Sequence, residues 1–406
     1  MISQPLSPMK RRSPWFRRAL VGFVLLAAAG AEGVSTQERG PTPLSAADLQ
    51  AAIAKLGDLD YPTRMKSGRA IRRAPGAVAV PALLDAAREH ADGYIRFKAL
   101  VLLTGFSDPR TIDVMEESLV SPNDRLREVA YGYFEHDPAP RLTPRLLAAL
   151  DKETGEFVRP SLVRALAALA PSEQKVRDVL IRDAMRGQDY FRSSVIEALG
   201  DYRIAAAEPR LVEIAKLEGP LQDDAVLSLG KLGDKAALGP LAELQRSGGQ
   251  VLQPSVAAAI CLIGQNCSSH LGFLQKTLGF AEDFPGYQEL LRSAASGLGA
   301  LGARGNAEAV TMLFDIGVPS EDPLRAPVAL ALGMVAVRNT PALLKVLEGR
   351  KDRDQAVSLV AEGFDMLEED LEEERFFALV RRTYWAAPDH SPTRALCEYL
   401  ITKLDF

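Results

Sequence analysis

The chain has 406 residues, 47% of them hydrophobic, 25% charged and only 6% aromatic. That is the composition of a folded protein with room for two or three domains or one extended array, and with Ala and Leu dominant it disfavours an all-β fold. The net charge of −5 hides an asymmetry: residues 1–31 hold Lys10, Arg11, Arg12, Arg17 and Arg18 and no acid, so the remainder stands at −10, which repels phosphate backbones and, with no basic stripe interleaved with aromatics, argues against nucleic acid as a partner while leaving room for a local basic patch.

Residues 19–31 read ALVGFVLLAAAGA, a 13-residue apolar run behind the basic segment that ends in Ala29-Gly30-Ala31. Basic, apolar and small-residue regions in that order predict a cleavable secretory signal over 1–31. The run is shorter than the ~20 apolar residues of a spanning helix, so no stable membrane insertion is expected after cleavage; an uncleaved tether is the alternative. The expected location is extracytoplasmic, periplasmic or secreted. Residues 32–44, with Gly33, Gly40, Pro41 and Pro43, read as a linker.

From residue 45 to the C-terminus the chain repeats. A column of Arg64, Arg96, Arg127, Arg159, Arg192, Gln222, Gln253, Arg292 and Arg325 recurs at spacings of 32, 31, 32, 33, 30, 31, 39 and 33. One residue before it stand Thr63, Ile95, Leu126, Val158, Phe191, Leu221, Leu252, Leu291 and Leu324. Three residues after it come Ser67, Ala99, Ala130, Leu162, Val195, Ala225, Val256, Ala295 and Val328. Seven after it come Ile71, Leu103, Phe134, Leu166, Leu199, Leu229, Ile260, Gly299 and Leu332. These offsets are four apart and so share one helical face. Between successive columns a second helix is announced by Pro81, Pro144, Pro209 and Pro341, each followed by leucines. Gly105, Gly200, Gly233, Gly302 and Gly333 read as the left-handed turns that stop helices. Each unit is therefore a helix pair, which covers its apolar faces only by stacking on its neighbours.

With Asp60, Asp92, Asp124, Asp189 and Asp322 just before the column, the pattern resembles the short HEAT-like repeats of phycobilin lyases and of many bacterial repeat proteins. The resemblance covers 45–406 and implies an all-α superhelical solenoid of about nine to eleven HEAT-like helix pairs. Residues 353–406 form less regular units anchored at Arg353 and Arg394. The 39-residue interval holds Phe280, Phe284 and Tyr287 in an insertion expected to bulge from one edge as a candidate contact or to pack back on the array.

Motifs that would carry chemistry dissolve on reading. The Arg column is expected to tie each turn to its neighbour through the preceding Asp. Gly297-Leu298-Gly299-Ala300-Leu301-Gly302 matches a dinucleotide fingerprint by letter, but it ends a helix with no strand before it. His90, His136, His270 and His390 show no metal spacing, and Ser268-Ser269-His270 reads as a helix cap. The acidic run Glu368–Glu374 reads as a solvated helix start. Of three cysteines, Cys261 and Cys267 either close a small bridge across a break near Gly264 or are small buried residues, and at least one thiol stays unpaired.

No catalytic, cofactor-binding or metal site is therefore assigned. The expected function is a non-catalytic scaffold or adaptor whose curved face binds a protein or peptide partner. An enzyme or enzyme subunit of lyase type with a pocket formed across repeats is one alternative, and a membrane-tethered envelope module is another.

Overall fold

The computed structural model of the chain describes residues 44–264, 267–284 and 286–406. The secretory signal over 1–31, and the linker apart from Leu44, lie outside the described residues. Residues 38–406 form a compact unit of 22 α-helices with no strand among the described residues.

The helices fall into eleven pairs. The first four are α1 and α2 (Ala46–Ala54, Tyr61–Arg72), α3 and α4 (Gly76–Glu89, Gly93–Phe106), α5 and α6 (Thr111–Ser118, Asp124–His136), and α7 and α8 (Thr143–Leu150, Arg159–Leu169). Next come α9 and α10 (Gln174–Asp183, Asp189–Asp201), α11 and α12 (Glu208–Ala215, Gln222–Leu232), α13 and α14 (Leu238–Ser247, Gln253–Leu262), and α15 and α16 (Cys267–Asp283, Gln288–Ala303). The last three are α17 and α18 (Ala307–Gly317, Arg325–Arg338), α19 and α20 (Thr340–Gly349, Arg353–Leu367), and α21 and α22 (Asp370–Ala386, Pro392–Lys403). The column residue opens the second helix of its pair throughout, Arg353 and Arg394 included. The three flanking columns are core: Leu126, Ala130 and Phe134 of α6, or Leu324, Val328 and Leu332 of α18, are at most 5% exposed. A fully buried Leu or Val stabilises by about 2 kcal/mol, so the columns alone supply much of the cohesion between neighbours.

The column side chains do not work through the preceding Asp in general. The orphan carbonyls at the end of the first helix of each pair need donors, and the column supplies them. Arg64 donates to the Asp58 carbonyl at 2.7 Å, Arg127 to Ser121 at 2.8 Å, Arg192 to Ala184 at 3.2 Å and Arg325 to Gly317 at 3.1 Å. Gln222 and Gln253 do the same through their amide N–H groups, to Ala215 at 2.9 Å and Gly248 at 3.1 Å, which explains why Gln can replace Arg in the column. The aspartates instead cap the second helix: Asp60 accepts from the Thr63 N–H and Asp92 from the Tyr94 N–H. Among the described residues an ion pair with a preceding aspartate forms at Arg192, with Asp189 at 3.0 Å, and at Arg394, with Asp389 at 2.6 Å.

Four of the glycines read as helix stops lie inside helices. Only Gly233, at φ +75°, makes the left-handed turn. A Cβ on Gly200 would meet the Ser228 Cα at 2.7 Å, one on Gly333 would meet Gly363 at 2.9 Å, and one on Gly230 would run into the Ala259 backbone. The fingerprint-like Gly299 and Gly302 serve the same purpose against Ala331 and Val335, in the last turns of α16 with no strand among the described residues. These residues let the even-numbered helices approach closely, and α12 reaches past α14 to touch α16. Closer spacing of the inner helices than of the outer ones bends the stack sharply. Pro81 is also interior, five residues into α3, whereas Pro144, Pro209 and Pro341 sit in a first turn as read.

Curvature carries the last pair back to the first. Helix α21 packs on α4 and α6 and also touches α18 and α19. Arg72 Nε donates to Glu374 at 2.7 Å, Arg381 to the Arg72 carbonyl at 2.6 Å, and Lys98 pairs with Asp370. The acidic run is thus not a solvated face: Glu372 and Glu374 are 6% and 2% exposed, because this stretch plugs the concave side of the array. The interval before Arg292 likewise does not bulge as a loop, but lengthens α15 to 17 residues. Its Phe280 packs in a tilted contact with Phe284 at 4.8 Å and edge-on with Tyr287 at 5.2 Å while all three stay partly exposed. Cys261 and Cys267 form a disulfide, with Cα atoms 4.4 Å apart across the break that Gly264 makes at φ +88°. Cys397 is free and buried, which pushes its thiol up to about 11.

Candidate functional site

Ring closure encloses a cavity of about 750 Å³ lined by α6, α8, α10, α12, α16 and α18 together with Leu367 and Glu369. Asp224, then Arg164 and Glu197, then His136, Asp201 and Lys231 come from positions two, five and nine after the column, and Glu135, Arg292, Arg304, Arg338 and Glu369 add further charges to the lining. The former lie between the apolar columns on the inner side of each helix.

Toward the ends of the inner helices the lining is a closed ion-pair network. Glu135 accepts from Arg164 Nε at 2.8 Å, Tyr202 Oη at 2.7 Å and Arg338 at 3.3 Å. Arg164 also reaches Asp201 at 3.0 Å, and Asp201 holds Lys231 at 2.9 Å. Burial pushes both carboxylates up, but the surrounding cations override it and hold them below their ordinary values. Arg304, from the end of α16, donates to the carbonyls of Gly200, Asp201 and Lys231, so one guanidinium caps two other inner helices. His136 Nε2 lies 2.6 Å from Glu372 Oε1. Burial pushes Glu372 up, and the hydrogen bond with His136 and the Arg338 charge outweigh it, bringing it to about 2.

Glu135, His136 and Glu372 offer ligand atoms within 4.8 Å of one another. Their chemistry suits an ion-pair hub better than a metal, because a divalent cation on the Glu135 carboxylate would sit beside the guanidiniums of Arg164 and Arg338.

Nearer the start of the inner helices the groups are uncommitted. Glu197 of α10 makes no hydrogen bond or ion pair among the described residues. It is reachable by solvent yet walled by protein, and burial with the nearby Asp224 charge pushes it up. Asp224 of α12 accepts from Ser193 Oγ at 2.6 Å and is likewise pushed up, by burial. Across the cavity stand Pro327, Leu330 and Met334 of α18, with Arg292 of α16 beside them. Arg292 is the one column member in the cavity wall; Arg159 lies over the Phe191 ring at 3.7 Å.

Of the residues weighed in the sequence, His136, Arg292, Gly299 of the fingerprint-like run and Glu369 of the acidic run reach the cavity. The structure does not bring His90, His270 or His390 to it, and Ser268-Ser269-His270 opens α15 on the outer layer.

No protein-family model matches the chain, and no curated protein matches it by sequence. Among solved structures it is similar to E. coli YibA, at 16% identity over 54% of this chain and 82% of that one, with a TM-score of 0.40. It is similar to importin beta at 13% identity, over 88% of this chain and 59% of that one, TM-score 0.34. It is also similar to the complex of CpcE and CpcF of phycocyanin lyase from Nostoc, at 18% identity, over 84% of this chain and all of that one, TM-score 0.27. Likenesses this distant say nothing of a ligand. The eleven stacked pairs of this chain are themselves those of an all-α, HEAT-like repeat protein.

Proposed function

We propose that this chain is a non-catalytic scaffold or adaptor, exported behind residues 1–31, that binds a protein or peptide partner by taking a basic group of that partner into the central cavity. The observation that carries this reading is the pair Glu197 and Asp224: two carboxylates on adjacent inner helices, both destabilised as anions by burial, which the nearby Lys231, paired with Asp201, offsets only in part. An ammonium or guanidinium between them would restore their charge. The apolar wall of Pro327, Leu330 and Met334 suits the methylene stem of a lysine or arginine. The charge of −10 outside residues 1–31 favours encounter with a basic partner.

Immobilised protein is expected to capture a specific partner from an envelope or secreted fraction, and Glu197→Gln with Asp224→Asn to lose it. Retention by both forms refutes the cavity as the binding site. A second reading is favoured by the same two groups, because carboxyls in a cavity with raised pKa are what general acid–base catalysis uses. No captured partner, together with turnover of a small substrate abolished by Glu197→Gln, replaces the scaffold with an enzyme whose pocket forms across repeats.

A further inference from the structure

On the far side of the cavity's floor lies a second recess of about 300 Å³, bounded by α4, α6, α18, the start of α19 and α21. His136 and Arg338 belong to both walls and separate the two spaces. The lining of the recess holds three guanidiniums, Arg338, Arg375 and Arg382, and the His136 imidazole, with no carboxylate. In a chain that stands at −10 beyond residue 31 this concentration of one sign is not a consequence of composition.

We propose that this recess binds a compact oxyanion: a phosphate or sulfate group, free or carried at the end of a larger molecule. The acids that face these cations stand behind the wall and satisfy them poorly. Arg338 reaches Glu135 at 3.3 Å and Glu369 only at 3.7 Å, and its buried Nε has no hydrogen-bond partner. Arg375 comes no closer than 3.9 Å to Glu372, whose other oxygen is taken by His136. Among the described residues Arg382 has only the Ser107 hydroxyl, at 3.3 Å. Partial enclosure, with repulsion from Arg382 and Arg338, pulls the Arg375 guanidinium below its ordinary range in spite of Glu372 and Glu135. The planar guanidiniums of Arg375 and Arg382, with Arg338 adding charge at the wall, match the geometry of a tetrahedral oxyanion. The N-terminus of α19, at Thr340, adds the positive end of a helix dipole to the same wall. A bound oxyanion would tie α18 and α19 to α21 beside the seam where α21 meets α4 and α6, so occupancy and closure reinforce each other.

Calorimetric titration of the full chain with inorganic phosphate in a chloride buffer tests this. Saturable binding is expected, with a rise in Tm. Arg375→Gln with Arg382→Gln should weaken binding about tenfold for each charged hydrogen-bonding group lost, and Arg375→Lys should retain more affinity than Arg375→Gln. Arg382→Gln alone, on the exposed side, serves if the double variant does not fold. Vesicles of phosphatidylcholine with and without phosphatidylglycerol distinguish the sources: co-sedimentation with the anionic vesicles that free phosphate displaces assigns the group to a lipid headgroup, and phosphate binding without vesicle binding assigns it to a soluble ligand. Absence of saturable binding to both probes, or binding by the glutamine variants equal to that of the unaltered chain, overturns the proposal.

Discussion

Replacing Glu374 by Ala should open the ring at its seam without unfolding the array. The Glu374 side chain is 3% exposed and that of Arg72 14% exposed, with Nε to Oε2 at 2.7 Å. Its other oxygen lies where a Cβ on Gly105 would approach to 2.8 Å, so the carboxylate rests directly on the α4 backbone. Removing it strands an enclosed guanidinium, at a cost of about 3 kcal/mol. Because α21 and α22 stack on the array at its end, the loss falls on their docking rather than on the whole chain. Hydrogen exchange in α21 and α22 should accelerate about 100-fold, with α9–α14 nearly unchanged. Arg72→Met combined with Glu374→Leu should recover most of the protection, since it removes both charges together. Uniform acceleration over all helices, or none in α21 and α22, would refute the seam.

Three further outcomes follow from the same contacts. Burial and the Asp370 charge raise Glu128 and Glu373 to about 7, so the folded state holds their protons more tightly and gains stability as pH falls from 7 toward 4.5. Glu372, held at about 2 against an ordinary 4.5, stabilises above 4.5 and loses that contribution as pH falls from 4.5 toward 2, so Tm should peak near pH ~5 rather than at neutrality. Arg127→Ala removes a carbonyl cap and both bonds to Glu153, at 2.7 and 2.9 Å, and should cost about 3 kcal/mol in urea unfolding; an unchanged midpoint contradicts the capping role. Gly230→Val, which forces a side chain into the Ala259 backbone, should cost about 2 kcal/mol or more and loosen the stacking of α12 on α14.

The repeat was legible because core burial acts within one helix and its nearest neighbours. Leu162, Val195 and Leu229 announce themselves by spacing alone, and even the doubtful units at Arg353 and Arg394 prove to be ordinary pairs with Ala356 and Cys397 in the core. Closure was not legible, because it depends on the sum of small bends over ten stacking steps. Gly200, Gly230 and Gly333 were visible, each eight residues after the column, but in the same letters a helix stop and a close helix approach look alike. The acidic run misled for a related reason: Glu372 and Glu374 are charged on a surface that becomes interior only once α4 and α6 arrive from about 240 to 280 residues away in sequence. A signal for the cavity did exist. Charged residues five and nine after the column, Arg164 and Glu197, Asp201 and Lys231, recur on a face that an open solenoid would leave to water, and alternate in sign as paired groups do. The carbonyl-capping role of the column could likewise have been read from Gln222 and Gln253, since an amide replaces a guanidinium as a donor but not as a charge.

Everything assigned to the cavity depends on the array being closed on itself, and small-angle X-ray scattering of residues 38–406 measures that directly. A compact closed unit of this length should give a radius of gyration of about 21 to 24 Å. An open stack of eleven pairs, at about 10 Å per pair, would be roughly 110 Å long and give more than about 30 Å. The smaller value is predicted, and the larger one would contradict the closed ring and the enclosed site with it.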